Sequence, residues 1–335
     1  MLNDILNLII SLRNHFIYFA ISISFPSIIL YILEIITILR HKQFKNPFYT
    51  LILTRAITNV IYTLDSYYCY RLPVLFGNFL YPFYNKLPNF ILNLQYFLTS
   101  YSLTADFLGT IFILLNRLTA ITMGINYKIF WKKMVKYSCL LILGLPMIFF
   151  IQMFTVNSFL YKEQTNDNNT IISFYITSEF NPFYVQINVI LSILFMFICF
   201  FINIATLILY KKHCKLTLTI KSTQQINSER KEYKLLLYAI FTFFGHAIMA
   251  LNQVLFYFVS NTNDMKIIGA SYTQYPWTMD VGSVLIPSWL LFWASDNFRF
   301  QLIKDFCPKF LLKQLFKENQ TSIVTPIIII IHLFI

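Results

Sequence analysis

Apolar residues dominate seven long stretches of the chain, and polar or charged residues collect between them. A helix needs about 20 residues to cross the roughly 30 Å hydrocarbon core of a bilayer. Each stretch is close to that length, and a helix satisfies its own backbone hydrogen bonds in lipid. The pattern therefore predicts seven membrane-spanning segments. In chain order, segments 1 to 7 cover residues 16–39, 48–70, 91–116, 136–156, 185–209, 235–259 and 276–294.

Little of the chain is left outside these segments. The 335 residues are 57% hydrophobic and 12% charged, whereas soluble proteins average about 25% charged residues. We therefore predict an all-α membrane protein with one seven-transmembrane helix bundle over 16–294. Residues 1–15 form a short N-terminal segment and 295–335 form a tail. Within that tail, the spacing of apolar residues predicts an amphipathic interfacial helix over 296–306.

The Lys and Arg residues fall on alternate sides of the segments. The loops before segment 2, after segment 3 and after segment 5, together with the tail, contain 20 of them, and the other loops contain five. Cytoplasmic loops carry the excess of positive charge, so the N-terminus is predicted outside and the C-terminus inside. The net charge of +12 then reflects loops that face anionic lipid and cytosolic partners, not nucleic acid. Asn168, in an Asn-x-Thr sequence, becomes an outer glycosylation candidate.

Two charged residues lie at matching depth in segments 1 and 2. At 1.5 Å per residue, Glu34 and Arg55 each lie about 9–12 Å into the inner half of the membrane. A charge in lipid is costly unless it is paired. The matching depth favours a Glu34–Arg55 ion pair, and the alternative is that Arg55 extends alone to the interface.

Polar and small residues recur every three or four positions along segment 3. At this spacing they share one helix face, which we expect to face the interior of the bundle. Asp106 is near the midplane, about 16 Å above Arg117. It is a candidate ligand contact, internal ion site or switch element; alternatively, it is a hydrogen-bonded aspartate that holds helices together. The face comprises Gln95, Thr99, Ser102, Asp106, Gly109 and Ile113.

Further polar and aromatic residues in segments 2, 6 and 7 suggest an outward-facing ligand pocket. Tyr and Trp also collect at membrane interfaces without any ligand. A mid-segment histidine is either a pH-sensitive contact or a hydrogen-bonded interior residue. The pocket candidates are Asp65, Gln95, Tyr96, Ser102, Asp106, His246, Gln253, Trp277 and Asp280.

The sequence contains no motif of a catalytic or cofactor site. It has no phosphate-binding glycine loop, no HExxH sequence and no clustered His/Cys set. Asp65, Asp106 and Asp280 differ in predicted depth, unlike the paired aspartates of an intramembrane protease. We expect no enzyme activity, no cofactor and no metal. An odd segment count without an internal repeat argues against a transporter. A receptor is therefore favoured; the alternative is a ligand-gated cation channel subunit or another seven-span protein without G-protein coupling.

Several short motifs carry a family resemblance. Over roughly 20–310 the chain resembles the nematode serpentine chemoreceptors, specifically the gamma class and close relatives such as class V. The inner end of segment 3 contributes the most specific motif. The motifs are Pro26-Ser27, Asn46–Tyr49, Asn116-Arg117-Leu118-Thr119 with Tyr127 and Trp131, Ile286-Pro287-Ser288-Trp289, and Asn297-Phe298-Arg299.

This resemblance implies a G-protein-coupled receptor of sensory neurons for environmental or pheromone-like small molecules. It implies a plasma-membrane location, such as that of sensory cilia, and a heterotrimeric G protein as partner. Arg117 matches the arginine of the Asp/Glu-Arg-Tyr motif of better-known receptors, but Asn116 replaces the acid and Leu118 the tyrosine. We therefore expect Arg117 to act directly at the inner surface. The coupling or switch candidates are Asn116, Arg117, Trp131, Lys211 and Lys212.

Overall fold

Helices account for almost all of the described chain. Five are long and apolar enough to cross a membrane, and they cover predicted segments 1, 3, 4, 5 and 6. The structure therefore confirms a mostly helical membrane protein. These five candidate spans are His15–Arg40, Asn89–Met123, Asn126–Thr155, Tyr184–Lys212 and Leu236–Ser260. The structure, a computed structural model, describes residues 2–124, 126–164, 170–176, 181–216, 223–261 and 265–307.

The helices follow one another through short connections. They are α1 (Leu2–Arg40), α2 (Pro47–Ser66), α3 (Leu72–Leu75), α4 (Gly77–Tyr84), α5 (Asn89–Met123), α6 (Asn126–Phe150), α7 (Asn181–Leu216), α8 (Thr223–Ser260), α9 (Met265–Tyr272), α10 (Tyr275–Met279), α11 (Ile286–Ala294) and α12 (Asp296–Phe306). Short 3-10 helices cover Lys42–Phe44 and Ile151–Thr155, a first π-helix covers Tyr67–Arg71, and a second π-helix covers Asp280–Leu285.

Predicted segments 2 and 7 are helical but interrupted. α2 continues through the first π-helix into α3, and α10 continues through the second π-helix into α11. At 1.5 Å per residue, these two composite rods are about 43 Å and 30 Å long. Charged residues within them, among them Arg55 and Asp280, make them less apolar than the five candidate spans.

α5 lies at the centre of the bundle, against α2, α6 and α7. The predicted polar face of this helix is buried along its whole length, from Gln95 to Ile113. This confirms that the face points inward. Burial favours a partner for each polar group on this face. Asp106 and Thr99 have one on α2, whereas the Gln95 Oε1 and Ser102 Oγ atoms have none among the described residues.

A β-hairpin covers the end of α5 that is predicted to face outward. β1 (Ser158–Gln164) pairs antiparallel with β2 (Thr170–Ile176). β2 is rich in β-branched and aromatic residues, and β1 contributes Phe159 and Tyr161. Asn93 at the start of α5 donates to the Val156 carbonyl oxygen at 2.6 Å. This bond ties the hairpin to the bundle.

A pair of glycines allows α8 and the second π-helix to approach closely. A β-carbon on Gly282 would lie 2.8 Å from the Gly245 carbonyl oxygen and closer still to the Met249 sulfur. Real β-carbons do not approach that closely. The close contact therefore depends on both glycines.

The predicted amphipathic helix is confirmed as α12, with the predicted bounds. Phe298 is fully buried, and its ring packs against Phe44 at 5.1 Å and Tyr49 at 5.6 Å between centroids. The Asp305 carboxylate contacts the His41 Nε2 atom at 2.6 Å. α12 is therefore fixed against the connection between α1 and α2.

We predict that Gly282→Ala destabilises the bundle. The added methyl group must push apart two backbones, and overpacking of this kind costs about 1–3 kcal/mol. The matched control is Gly144→Ala in α6, where an added β-carbon meets nothing within 4 Å. Thermal unfolding of the detergent-solubilised protein should show a lower midpoint for Gly282→Ala alone. Equal midpoints for the two variants would contradict the close contact.

Candidate ligand pocket and its polar core

Asp106 connects four parts of the bundle from the centre of α5. Its Oδ1 atom accepts a 2.8 Å hydrogen bond from Asn59 on α2 and lies 3.5 Å from the Arg55 Nε atom. Its Oδ2 atom lies 2.7 Å from His246 Nε2 on α8. Asn59 also donates to the Ser283 carbonyl oxygen in the second π-helix at 2.8 Å. We call Asp106, Asn59, Arg55 and His246 the polar core.

The position of His246 defines where its protons lie. Its Nδ1 atom is 2.6 Å from the Thr242 carbonyl oxygen, which can only accept, so Nδ1 is protonated and donates there. The Nε2 atom faces the Asp106 carboxylate, and a contact of 2.7 Å requires a proton between them. The two side chains are therefore joined by a hydrogen bond in a site from which solvent is excluded.

Arg55 pairs with Asp106, which corrects the prediction that it pairs with Glu34. The guanidinium donates to Thr110 at 3.0 Å and to the Tyr238 hydroxyl at 3.4 Å. Its stem passes Gly109, where a β-carbon would meet it at 3.0 Å. Glu34 is also buried, but neither of its carboxylate oxygens has a hydrogen-bond partner among the described residues. Depth alone predicted the wrong partner because it does not define helix rotation.

A second buried ion pair joins the two π-helices. Arg71 ends the first π-helix, Asp280 begins the second, and the Arg71 guanidinium donates to the Asp280 carboxylate. Both side chains are fully buried. π-helical turns in long helices frequently occur at functional sites. Here they bring two opposite charges together beside the outer part of the bundle.

A small cavity lies beside the polar core, in the half of the bundle that is predicted to face outward. Its volume is about 20 Å³, which is room for roughly one water molecule. Ser100 contacts both the Tyr184 hydroxyl and, at 3.1 Å, the Asn188 amide. The lining is Tyr70, Thr99, Ser100, Tyr184, Val185, Asn188, Asn252, Gln253, Phe256, Ser271, Tyr272 and Tyr275.

A neighbouring cavity of about 20 Å³ shares Tyr70 and Tyr272 with the first. These two rings stack with centroids 5.9 Å apart and planes inclined by 21°. The second cavity also reaches Gln95 and the inner face of the hairpin at Phe174. The two tyrosines thus form an aromatic partition between the cavities.

The structure separates the predicted pocket residues into groups. Gln253 and Gln95 line the two cavities, and Asp65 lies behind them, accepting from Thr99 at 3.2 Å. Trp277 lies apart, stacked on Phe16 of α1 at 5.7 Å. The remaining candidates are buried in other positions: Ser102, Asp106 and His246 lie deeper, Tyr96 packs edge-on to Tyr184 and Tyr272, and Asp280 pairs with Arg71.

The inner end of α5 holds the motif that carried the resemblance. Asn116 accepts a 3.1 Å hydrogen bond from the Tyr127 hydroxyl, and Trp131 donates to Thr119 at 2.7 Å. These bonds fix α6 against α5. The Arg117 guanidinium lies 3.6 Å from the centre of the Phe48 ring. Lys211 and Lys212 are exposed near the end of α7.

An ion pair links α8 to the start of α12. The Lys234 ammonium lies 2.9 Å from the Asp296 carboxylate, which also accepts from Arg299 at 2.8 Å. Partial burial alone raises the pKa of Asp296, but the hydrogen bond and charge of Lys234, with those of Arg299, hold that pKa below its ordinary value. The carboxylate is therefore ionised at neutral pH.

Several functional residues were missed by sequence reasoning. Arg71 was placed in a loop because the apolar run ends one residue earlier, and Tyr184 lies at the edge of a predicted segment. Asn59 sits four residues after Arg55, on the same face of α2, and that spacing was the available signal. Asn168 lies outside the described residues. Within the described ranges, no group of three His, Cys, Asp or Glu side chains is placed to hold a metal ion.

The fold and the site define a polytopic helical membrane protein with a buried polar core below a small outer pocket. Residues 17–302 match the family described as Srg family chemoreceptor. The chain belongs to this family, which confirms the resemblance to the gamma class of serpentine chemoreceptors. No curated protein matches the chain in sequence. The family is one of receptors, so the protein is a chemosensory serpentine receptor embedded in the membrane by several spans.

We predict that Asp106→Asn lowers the free energy of unfolding by about 3–5 kcal/mol, because it leaves buried Arg55 without its paired anion. The matched control is Glu34→Gln, the same kind of neutralisation at a buried carboxyl group that has no hydrogen bond. That change should leave stability within about 1 kcal/mol of the parent. Chemical unfolding in detergent measures both. A larger loss of stability for Glu34→Gln than for Asp106→Asn would show that Arg55 is neutralised by Glu34 and not by Asp106, which would contradict the assigned pair.

Proposed function

We propose that this receptor binds a small environmental or pheromone-like molecule from outside and activates a heterotrimeric G protein inside. In this proposal all seven helical rods span the plasma membrane, such as that of a sensory cilium. The N-terminus is outside, and the tail with α12 lies along the cytoplasmic leaflet. Asn168 then lies in an outer loop as a glycosylation site. The asymmetry of 20 against five basic residues supports this orientation.

The observation that carries the proposal is the position of the polar core between pocket and inner surface. Ser100 in the pocket lies six residues from Asp106, about 9 Å along α5, and Arg117 lies about 16 Å in the other direction. Both intervals belong to one continuous helix. A ligand that shifts α5 or α8 therefore acts directly on the bonds of Asp106.

Ligand entry requires the aromatic partition to move. A cavity of about 20 Å³ holds one water molecule, so a ligand of several heavy atoms does not fit the closed form. Rotation of Tyr70 and Tyr272 would join the two cavities. A ligand that binds the joined pocket and not the closed one shifts the equilibrium by that difference in affinity.

The inner ends of α8 and α12 must separate for a cytoplasmic partner to enter between them. Lys234 and Asp296 join these ends in the structure. Higher up, His246 and the close contact at Gly245 fix α8 against α5 and the second π-helix. We infer that activation rearranges the polar core first and separates the inner ends afterwards.

We predict that Gln253→Leu weakens the response to an agonist at least tenfold in half-maximal concentration, with the maximal response retained. Its amide lines the outer cavity, and a binding site that loses one hydrogen-bonding group typically loses about 1.4 kcal/mol or more. The control is Leu255→Ala on α8, where the side chain is 60% exposed on the outer face of the bundle. Nucleotide exchange on reconstituted G protein, screened against volatile and pheromone-like compounds, measures both variants.

We predict that Arg117→Ala abolishes agonist-stimulated nucleotide exchange while agonist binding is retained, because Arg117 stands at the inner end of α5 and not in the pocket. Surface expression must be matched to the parent. Lys133→Ala, an exposed lysine on α6, is the control for loss of positive charge. Undiminished exchange in Arg117→Ala would refute its role in coupling. Agonist-evoked ion current without nucleotide exchange would instead favour the channel alternative.

A further inference from the structure

A large cavity lies at the inner end of the bundle, apart from the pocket and the polar core. Its volume is about 790 Å³. It is bounded by the connection before α2, the start of α2, the end of α5, the start of α6 and the α11–α12 junction. The lining is Lys45, Asn46, Pro47, Phe48, Tyr49, Thr50, Arg117, Ala120, Tyr127, Lys128, Lys132, Val135, Ala294, Ser295, Asp296 and Asn297.

The charges of this cavity are strongly unequal. Four cationic side chains line it, from three separate parts of the chain: Lys45, Arg117, Lys128 and Lys132. Lys128 and Lys132 are one helical turn apart on α6 and share a face. The single acid in the lining, Asp296, is already neutralised by Lys234 and Arg299. The cavity therefore presents an excess of positive charge to whatever occupies it.

Two features favour an anion that arrives from the membrane. The starts of α2 and α6 border the cavity, and the positive end of a helix dipole favours negative charge. Beside Lys128, the apolar side chains of Ile129 and Phe130 are 68% and 37% exposed, as expected at a lipid surface. None of the lining residues comes from α7 or α8. Arg117 and Asp296 border both this cavity and the proposed site of G-protein entry, so the lysines Lys45, Lys128 and Lys132 distinguish the two.

We propose that this cavity binds the phosphorylated headgroup of an anionic phospholipid, of the phosphoinositide class, in the cytoplasmic leaflet. A headgroup with several phosphate charges matches four cations and a volume of this size better than a headgroup with a single net charge. The orientation rests on the proposed function, since it requires this end of the bundle to be cytoplasmic. The binding chemistry itself requires neither a G protein nor an agonist.

The experiment measures lipid binding to the purified full-length protein by native mass spectrometry. The probes are a short-chain phosphatidylinositol bisphosphate, a short-chain phosphatidylserine and free inositol trisphosphate. The test variant is Lys45→Ala/Lys128→Ala/Lys132→Ala. The matched control is Lys42→Ala/Lys133→Ala/Lys136→Ala, which removes three exposed lysines from the same connection and the same helix but outside the cavity.

The parent should prefer the bisphosphate lipid over phosphatidylserine. The cavity variant should lose about tenfold to a hundredfold in affinity for it, because each surface Lys or Arg contributes substantially to binding of anionic lipid. The control should lose less than about threefold. Lys45→Arg/Lys128→Arg/Lys132→Arg, which retains the charges, should bind like the parent and so excludes misfolding as the cause.

Equal losses in the cavity variant and the control would overturn the site. So would equal affinity of the parent for the two lipids. Free inositol trisphosphate that binds as tightly as the lipid would support a phosphate site but overturn its assignment to a lipid. Reduced nucleotide exchange in the cavity variant, with lipid binding intact, would overturn the proposal and assign the cavity to the G protein. Lipid binding is measured without agonist and without G protein. A failure of the signalling assay would therefore contradict the proposed function and leave the lipid-binding result unchanged.

Discussion

A buried carboxylate at the centre of a membrane bundle constrains everything packed around it. The charge of Asp106 is tolerated only because Arg55, Asn59 and His246 satisfy it from two other helices. These bonds in turn define how α2 and α8 are rotated against α5. Through Asn59 the constraint extends to the second π-helix, whose carbonyl oxygen at Ser283 is held by the same amide. The buried carboxylate of Asp106, a charge that is costly to remove from water, thus defines how the surrounding helices are arranged.

The two ends of the bundle differ in how the space around this core is used. On the outer side, aromatic rings fill the volume and leave cavities the size of a water molecule. On the inner side, a large basic cavity remains open. In the proposed function, this contrast corresponds to a resting receptor whose ligand site is closed. In the proposed function, a substitution in the outer lining alters ligand recognition and leaves the bonds of Asp106 in place, because Ser100 and Asp106 lie about 9 Å apart along α5.

Hydropathy and helix geometry were enough to predict the helical segments, the inward face of α5 and the bounds of α12. Those features depend on the length of apolar runs and on the spacing of polar residues, and both can be read from a single sequence. The partners of Arg55 were not predictable in the same way, since depth along a helix does not define rotation about its axis. Arg71 was not predicted as a buried residue, because the apolar run of segment 2 ends one residue before the first π-helix does. The hairpin was missed because its two strands are short and separated by a polar stretch that reads as a loop.

The closed pocket has a thermodynamic consequence for the affinity of any ligand. If only a small fraction of molecules has the tyrosine partition open, the apparent dissociation constant rises by the inverse of that fraction. This loss of apparent affinity has a benefit in a sensory receptor. A receptor whose pocket rarely opens without a ligand also rarely signals without one. The polar core supplies the restraint, since opening has to disturb bonds to a fully buried charge. In the proposed function, selectivity then comes from the ligand's contacts with Ser100 and Gln253, and the activation threshold comes from the bonds of Asp106.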